Sequence, residues 1–131
     1  MTEPETLSRT DCLELMSSQQ VGRVAFRTPM GPRIVPVNYT VDDGDILFRT
    51  TPYSELGTYG ADTEVAFEVD AIDDERHAGI SVVAHGRAQL LRSDDDRRVQ
   101  DPKAPRPWAQ GRRDSCFRLH PRDLTGRLVR P

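Results

Sequence analysis

Arg49-Thr50-Thr51-Pro52-Tyr53-Ser54 is the segment of this 131-residue chain whose residue types could hold an anion. A guanidinium can donate two parallel N–H bonds to one phosphate group, and alcohols add neutral donors. The run lies at the end of an expected strand and opens an expected helix, where main-chain amides favour negative charge. Read without a ligand, the same residues are a strand arginine followed by ordinary hydroxyl caps, and on residue physics alone that alternative leads. Pro107-Trp108-Ala109-Gln110-Gly111 is the second segment of interest and holds the only tryptophan. In a proline-rich loop this ring either anchors an interface, stacks on a planar ligand, or covers one end of the fold.

Other chemistries find no matching pattern. His77, His85 and His120 lack the helical spacing of a zinc pair. Asp42-Asp43-Gly44-Asp45 has neither the twelve-residue calcium loop nor its terminal glutamate, and reads as a solvated turn. Asp73-Asp74-Glu75 and Asp94-Asp95-Asp96 read as exposed charge. No metal site is expected. There is no Gly-x-Ser-x-Gly elbow, no glycine-rich phosphate loop, and no histidine at a telling offset from Cys12 or Cys116. Both thiols are expected to be structural, and two cysteines are too few for a disulfide scaffold.

These candidates need a frame. Ser8-Arg9-Thr10-Asp11 has capping-box spacing, and Cys12, Leu13, Leu15 and Met16 follow at helical intervals, which predicts a helix over about Arg9 to Ser18. Six strands follow, at Val21–Arg27, Arg33–Val41, Ile46–Thr51, Glu64–Asp70, Ser81–Leu91 and Cys116–His120, with a little more strand at Leu124–Val129. Pro36 argues for an edge or bulge in the second strand. Asp42-Asp43-Gly44-Asp45 supplies a hairpin turn. Pro52-Tyr53-Ser54 opens a short helix to about Tyr59, with Gly60 as its stop. Ala71–Gly79 reads as a charged loop, and Gly86 as a bend or a close backbone approach. Arg92–Arg112 reads as irregular. Strands joined by hairpins cannot make a parallel sheet, so the fold class is mainly β, an antiparallel barrel or sandwich with short helices. The length fits one domain over residues 1–131, with residues 1–7 as a flexible lead-in.

Composition narrows the partners. Hydrophobic residues are 36% and charged residues 30%, which suits a globular chain. No apolar run nears the length of a membrane span and no secretory signal opens the chain, so a cytoplasmic protein is expected. The net charge of −3 conceals a split, about −10 over residues 1–96 and +7 over residues 97–131. The basic third could neutralise the acidic body, or meet an anion or a second copy. It lacks interleaved aromatics for base stacking, so nucleic acid is not an expected partner, and without an apolar run neither is a membrane.

Six segments together resemble a known family. Gly22-Arg23-Val24-Ala25-Phe26, Val35-Pro36-Val37-Asn38-Tyr39, Asp45-Ile46-Leu47-Phe48-Arg49-Thr50, Val65-Ala66-Phe67-Glu68-Val69-Asp70, Ser81-Val82-Val83 with Gly86-Arg87-Ala88, and Pro107-Trp108-Ala109 occur in its order. The chain resembles the small actinobacterial-type branch of the pyridoxamine 5′-phosphate oxidase-like flavoproteins from about Leu7 to Val129. The resemblance implies a six-stranded split β-barrel, a homodimer, and FMN in a groove at the subunit seam. It implies that Arg49, Thr50, Thr51 and Ser54 hold the phosphate, and that Pro36, Val37 and Asn38 lie along the ring system. Ser81 would approach the flavin from the long strand, and Trp108 from the partner subunit. Glu55 and Ile80 stand where relatives commonly carry a lysine and an aromatic. The function it implies is flavin-dependent oxidoreduction of a small-molecule substrate. The alternatives are a reductase of the same fold using the deazaflavin coenzyme, and a non-catalytic flavin- or ligand-binding module. No catalytic side chain is assigned, since the cofactor can carry the chemistry.

Overall fold

The computed structural model describes residues 5–91 and 115–130. Strand β1 (Glu5–Thr6) leads into helix α1 (Arg9–Ser18). Ser8 caps that helix, its Oγ accepting the Asp11 N–H at 3.1 Å, as the sequence predicts. Cys12, Leu15 and Met16 turn inward from it. Burial pushes the Cys12 thiol up, with Asp11 adding to the shift. Then come β2 (Val21–Thr28), β3 (Gly31–Asp42), β4 (Asp45–Thr50), a single π-helical turn (Leu56–Gly60), β5 (Thr63–Asp73), β6 (Ala78–Leu91), β7 (Ser115–Leu119) and β8 (Asp123–Val129).

All strand pairings among the described residues are antiparallel. Strands run β6-β5-β2-β3-β4-β7 and close where β7 returns to β6, giving a six-stranded barrel. Those six strands are the six read from the sequence. β8 adds to β6 outside the ring, and β1 pairs with β8. Glu5 and Thr6 of the lead-in are therefore part of the sheet.

β6 serves two neighbours in turn. Its Gly79–His85 half pairs with β8 and its Ala88–Leu91 half pairs with β7. The handover falls at Gly86. A Cβ there would stand 2.5 Å from the His120 carbonyl oxygen and 2.8 Å from Leu119 Cδ1. Only glycine lets the chain leaving β7 cross so close, which is the close backbone approach expected of this residue.

Alternation sorts the side chains. Val24, Phe26, Val37, Tyr39, Ile46, Phe48, Val65, Phe67, Val69, Val82, Ala84, Phe117 and Leu119 fill the barrel, and α1 with the π-helical Leu56 closes onto the same core. Phe48 stacks between Phe67 and Phe117, with centroids 6.5 and 5.3 Å away. The Tyr39 hydroxyl donates to the Met16 carbonyl and ties barrel to helix, and burial pushes that phenol well above its ordinary value. No helix of the described residues is long and apolar enough to cross a membrane.

Three local readings are corrected. The segment Ala71–Gly79 is not a loop. β5 runs on to Asp73 and β6 begins at Ala78, because Ile72 and Asp73 pair with Gly79 and Ala78. The helix expected from Pro52 is delayed. The Ser54 N–H donates to the Thr51 carbonyl at 3.1 Å, which closes a tight turn through Pro52-Tyr53 first. The coil that follows is π-helical, and Gly60 lies within it instead of after it. The turn at Asp42–Asp45 forms as expected, with Asp43 and Gly44 at φ 50° and 83°, yet Asp45 is buried at 4% exposure instead of solvated. The irregular reading of Arg92–Arg112 lies outside the described residues.

Candidate functional site

The expected phosphate ligands follow one another where β4 ends. Arg49 points outward from the barrel, on the side opposite Phe48, and is half-buried. Thr50 Oγ1 and Ser54 Oγ lie 2.8 Å apart. Ser54 Oγ also reaches the Thr51 carbonyl at 2.7 Å and accepts the Gly57 N–H at 3.0 Å. Ser54 therefore caps the π-helical turn, the ligand-free role the sequence allowed. Thr51 and Tyr53 are exposed beside it. The donor set suits a phosphate, with one guanidinium, an exposed threonine hydroxyl and a Thr50 hydroxyl whose neutral partner is cheaply exchanged.

β3 supplies the neighbouring surface. Tyr39 pairs with Phe48, so one step further along Asn38 and Arg49 share the outer face of adjacent strands. Pro36 lies on that face too, exposed and paired with Arg23. It stands in the stretch of β3 bonded to β2 alone, since the β4 pairs begin at Tyr39, which satisfies the edge expectation. Val37 does not join them. Its side chain is buried in the barrel core at 7% exposure, so only its main chain could meet a ligand.

Ser81 is not brought to this cluster within one chain. It sits on the outer face of β6, opposite Asp70 of β5 and Arg127 of β8. The sheet order β3-β2-β5-β6 puts it about 14 Å round the barrel from Asn38, at three strand spacings. There it lines a hollow of about 410 Å³ with Ile80, His77 and Arg127. Ile80, half-buried, packs against the core as well as lining that hollow. Trp108 lies outside the described residues.

Two charged arrangements escaped the sequence. Glu55 does not face the alcohol cluster as a bare carboxylate, because its Oε1 accepts from Arg33 Nε at 3.2 Å. Asp45 is gripped twice, by Arg118 Nε at 2.6 Å and by His120 Nδ1 at 2.6 Å. Elsewhere on the outer face, Arg23 reaches Glu68 at 2.8 Å and Asp70 at 3.4 Å. Burial and then the nearby Asp70 push the Glu68 carboxyl up, with Arg23 opposing.

The family model for pyridoxamine 5′-phosphate oxidase matches residues 8–128, nearly the whole chain. The chain belongs to the pyridoxamine 5′-phosphate oxidase family. An uncharacterised Mycobacterium tuberculosis protein, Rv0080, is 31% identical over 92% of this chain and 82% of its own length. A Corynebacterium glutamicum protein provisionally assigned as a pyridoxamine 5′-phosphate oxidase has a TM-score of 0.82 at 30% identity, covering 99% of this chain and 96% of its own. A Mycobacterium smegmatis structure described as an FAD-binding protein has a TM-score of 0.76 at 28% identity, covering 98% of this chain and 100% of its own. The family assignment agrees with the resemblance drawn from the six ordered segments.

Proposed function

We propose that this protein binds a flavin nucleotide, in the first place FMN, and works as a flavin-dependent oxidoreductase on a small-molecule substrate. The observation that carries the reading is that Arg49, Asn38 and Pro36 share one outer face at the end of β4, where the Thr50, Thr51 and Ser54 alcohols follow along the chain. Family membership and a 28%-identical relative described as FAD-binding support it. Arg49 and the two threonines would hold the phosphate. Arg33 already neutralises Glu55, so that carboxylate does not oppose the dianion at full charge. Bound flavin would supply hydride or electron transfer. The chain's own part is to bind it, orient it against Pro36 and Asn38, and exclude water. The place of Ser81, three strands round the barrel, suits a homodimer with the cofactor at the seam, where a second copy would bring Ser81 and Trp108 to the ring. FAD is a second reading, favoured by the described ligand of the Mycobacterium smegmatis relative.

The test begins with the visible spectrum of the purified protein and the mass of what heat releases, which separates FMN, FAD and the deazaflavin coenzyme. FMN titration by fluorescence quenching should then show Arg49→Ala weakening binding about tenfold or more, the value of a charge-assisted contact. Equal affinity in the two proteins would remove Arg49 from the site.

A further inference from the structure

The opposite end of β4 holds a different kind of site. Asp45 is a buried carboxylate, which costs several kcal/mol unless its oxygens are fully engaged. Here both are engaged, by Arg118 Nε and His120 Nδ1. A turn needs no such network, since Asp43 and Gly44 already supply its backbone geometry. What the network does is fix two side chains. Arg118 and His120 both line a cavity of about 290 Å³, with Arg87, Gln89 and Asp62 completing its wall. His120 Nδ1 is turned onto Asp45, so Nε2 is the ring nitrogen left to the cavity.

Arg87 supplies the second observation. Its cross-strand neighbour on β5 is Glu64, the natural ion-pair partner. Glu64 is taken instead by Arg122, and that pairing pushes the Arg122 guanidinium up. Among the described residues Arg87 has no ion-pair partner. The wall therefore joins one guanidinium oriented by a buried carboxylate, one guanidinium whose local counter-charge is diverted, a primary amide and an imidazole. Asp62 is the opposing charge in the same wall, its Oδ1 accepting from the Leu90 N–H at 3.4 Å.

We propose that this cavity binds a small oxyanion, a carboxylate or phosphate group held by Arg87 and Arg118 with His120 as third contact. Asp45 is the positioning residue behind Arg118 and His120. The site is independent of the flavin reading, being built on β6, β7 and the β4 hairpin rather than on the alcohol cluster.

The test uses the full chain, with inorganic phosphate and succinate as separate probes at fixed pH. Ring resonances of His120 should move saturably with at least one probe while those of His77 stay put, and the better probe tells phosphate from carboxylate. Arg87→Ala should weaken that binding about tenfold, with an unchanged urea midpoint, because the exposed Arg87 supports no other described contact. His120→Gln, which keeps an N–H for Asp45, should keep the fold and lose part of the affinity, read here by the heat of titration since the His120 ring signal is gone. No saturable shift with either probe, or equal binding by Arg87→Ala, would overturn the proposal. Loss of FMN binding in Arg49→Ala leaves this experiment unaffected, so the two readings fail separately.

Discussion

The two ends of β4 are built from opposite materials. At the Thr50 end, alcohols bond to one another and to main-chain groups, and every partner is neutral. At the Asp45 end, a buried carboxylate is clasped by an arginine and a histidine. A neutral hydrogen bond is worth about 1 kcal/mol net, so the first end can exchange partners for a ligand at small cost. A buried charge network is costly to open, so the second end holds its side chains in place whether or not anything is bound. One strand thus carries an adaptable end and a preset end.

Three substitutions sharpen that contrast. Gly86→Ala should do the most damage. Its new methyl meets the His120 carbonyl at 2.5 Å, a main-chain atom that cannot swing aside. A loss of about 3 kcal/mol, read as a lower urea midpoint, is expected for such overpacking. Asp45→Asn should cost about 2 kcal/mol in the same measurement. That is less than for a fully buried pair, because Arg118 and His120 keep 31% and 73% of their side-chain surface in water. Ser54→Ala should cost about 1 kcal/mol, the worth of one cap, and should leave the His120 resonances where they are. If Ser54→Ala proves as damaging as Asp45→Asn, the two ends are not different in kind.

Much of the frame was legible because its signals are local. Ser8 caps α1 through a bond spanning three residues, and Asp43-Gly44 makes a turn that needs positive φ. Period-two alternation from Val65 to Val69 placed β5 in the right phase. Alternation also says where the Val37 side chain goes. It sits between Pro36 and Asn38, so it must face the other way, into the core. What stayed hidden was long-range. Asp45 meets residues 73 and 75 positions away, and Glu55 meets Arg33 across 22. No window around Asp45 distinguishes a solvated aspartate from a buried one, since burial is decided by where β7 returns. Charge misled at Ala71–Gly79 for a related reason. Ile72 and Asp73 are exposed, but their main chains pair with Gly79 and Ala78 regardless of side-chain polarity.

Because the ring closes only where β7 meets β6, the cylinder cannot close until the chain through Leu119 has been made. A ribosome that has released everything up to Leu91 has delivered β2 to β6 with the β4 and β6 edges bare, and α1 has nothing at β8 to rest on. Long-separation pairings of this sort form late and leave sticky margins in the meantime. Premature truncation anywhere before Ser115 should therefore yield not a smaller working protein but an open sheet bound for chaperones or inclusion bodies.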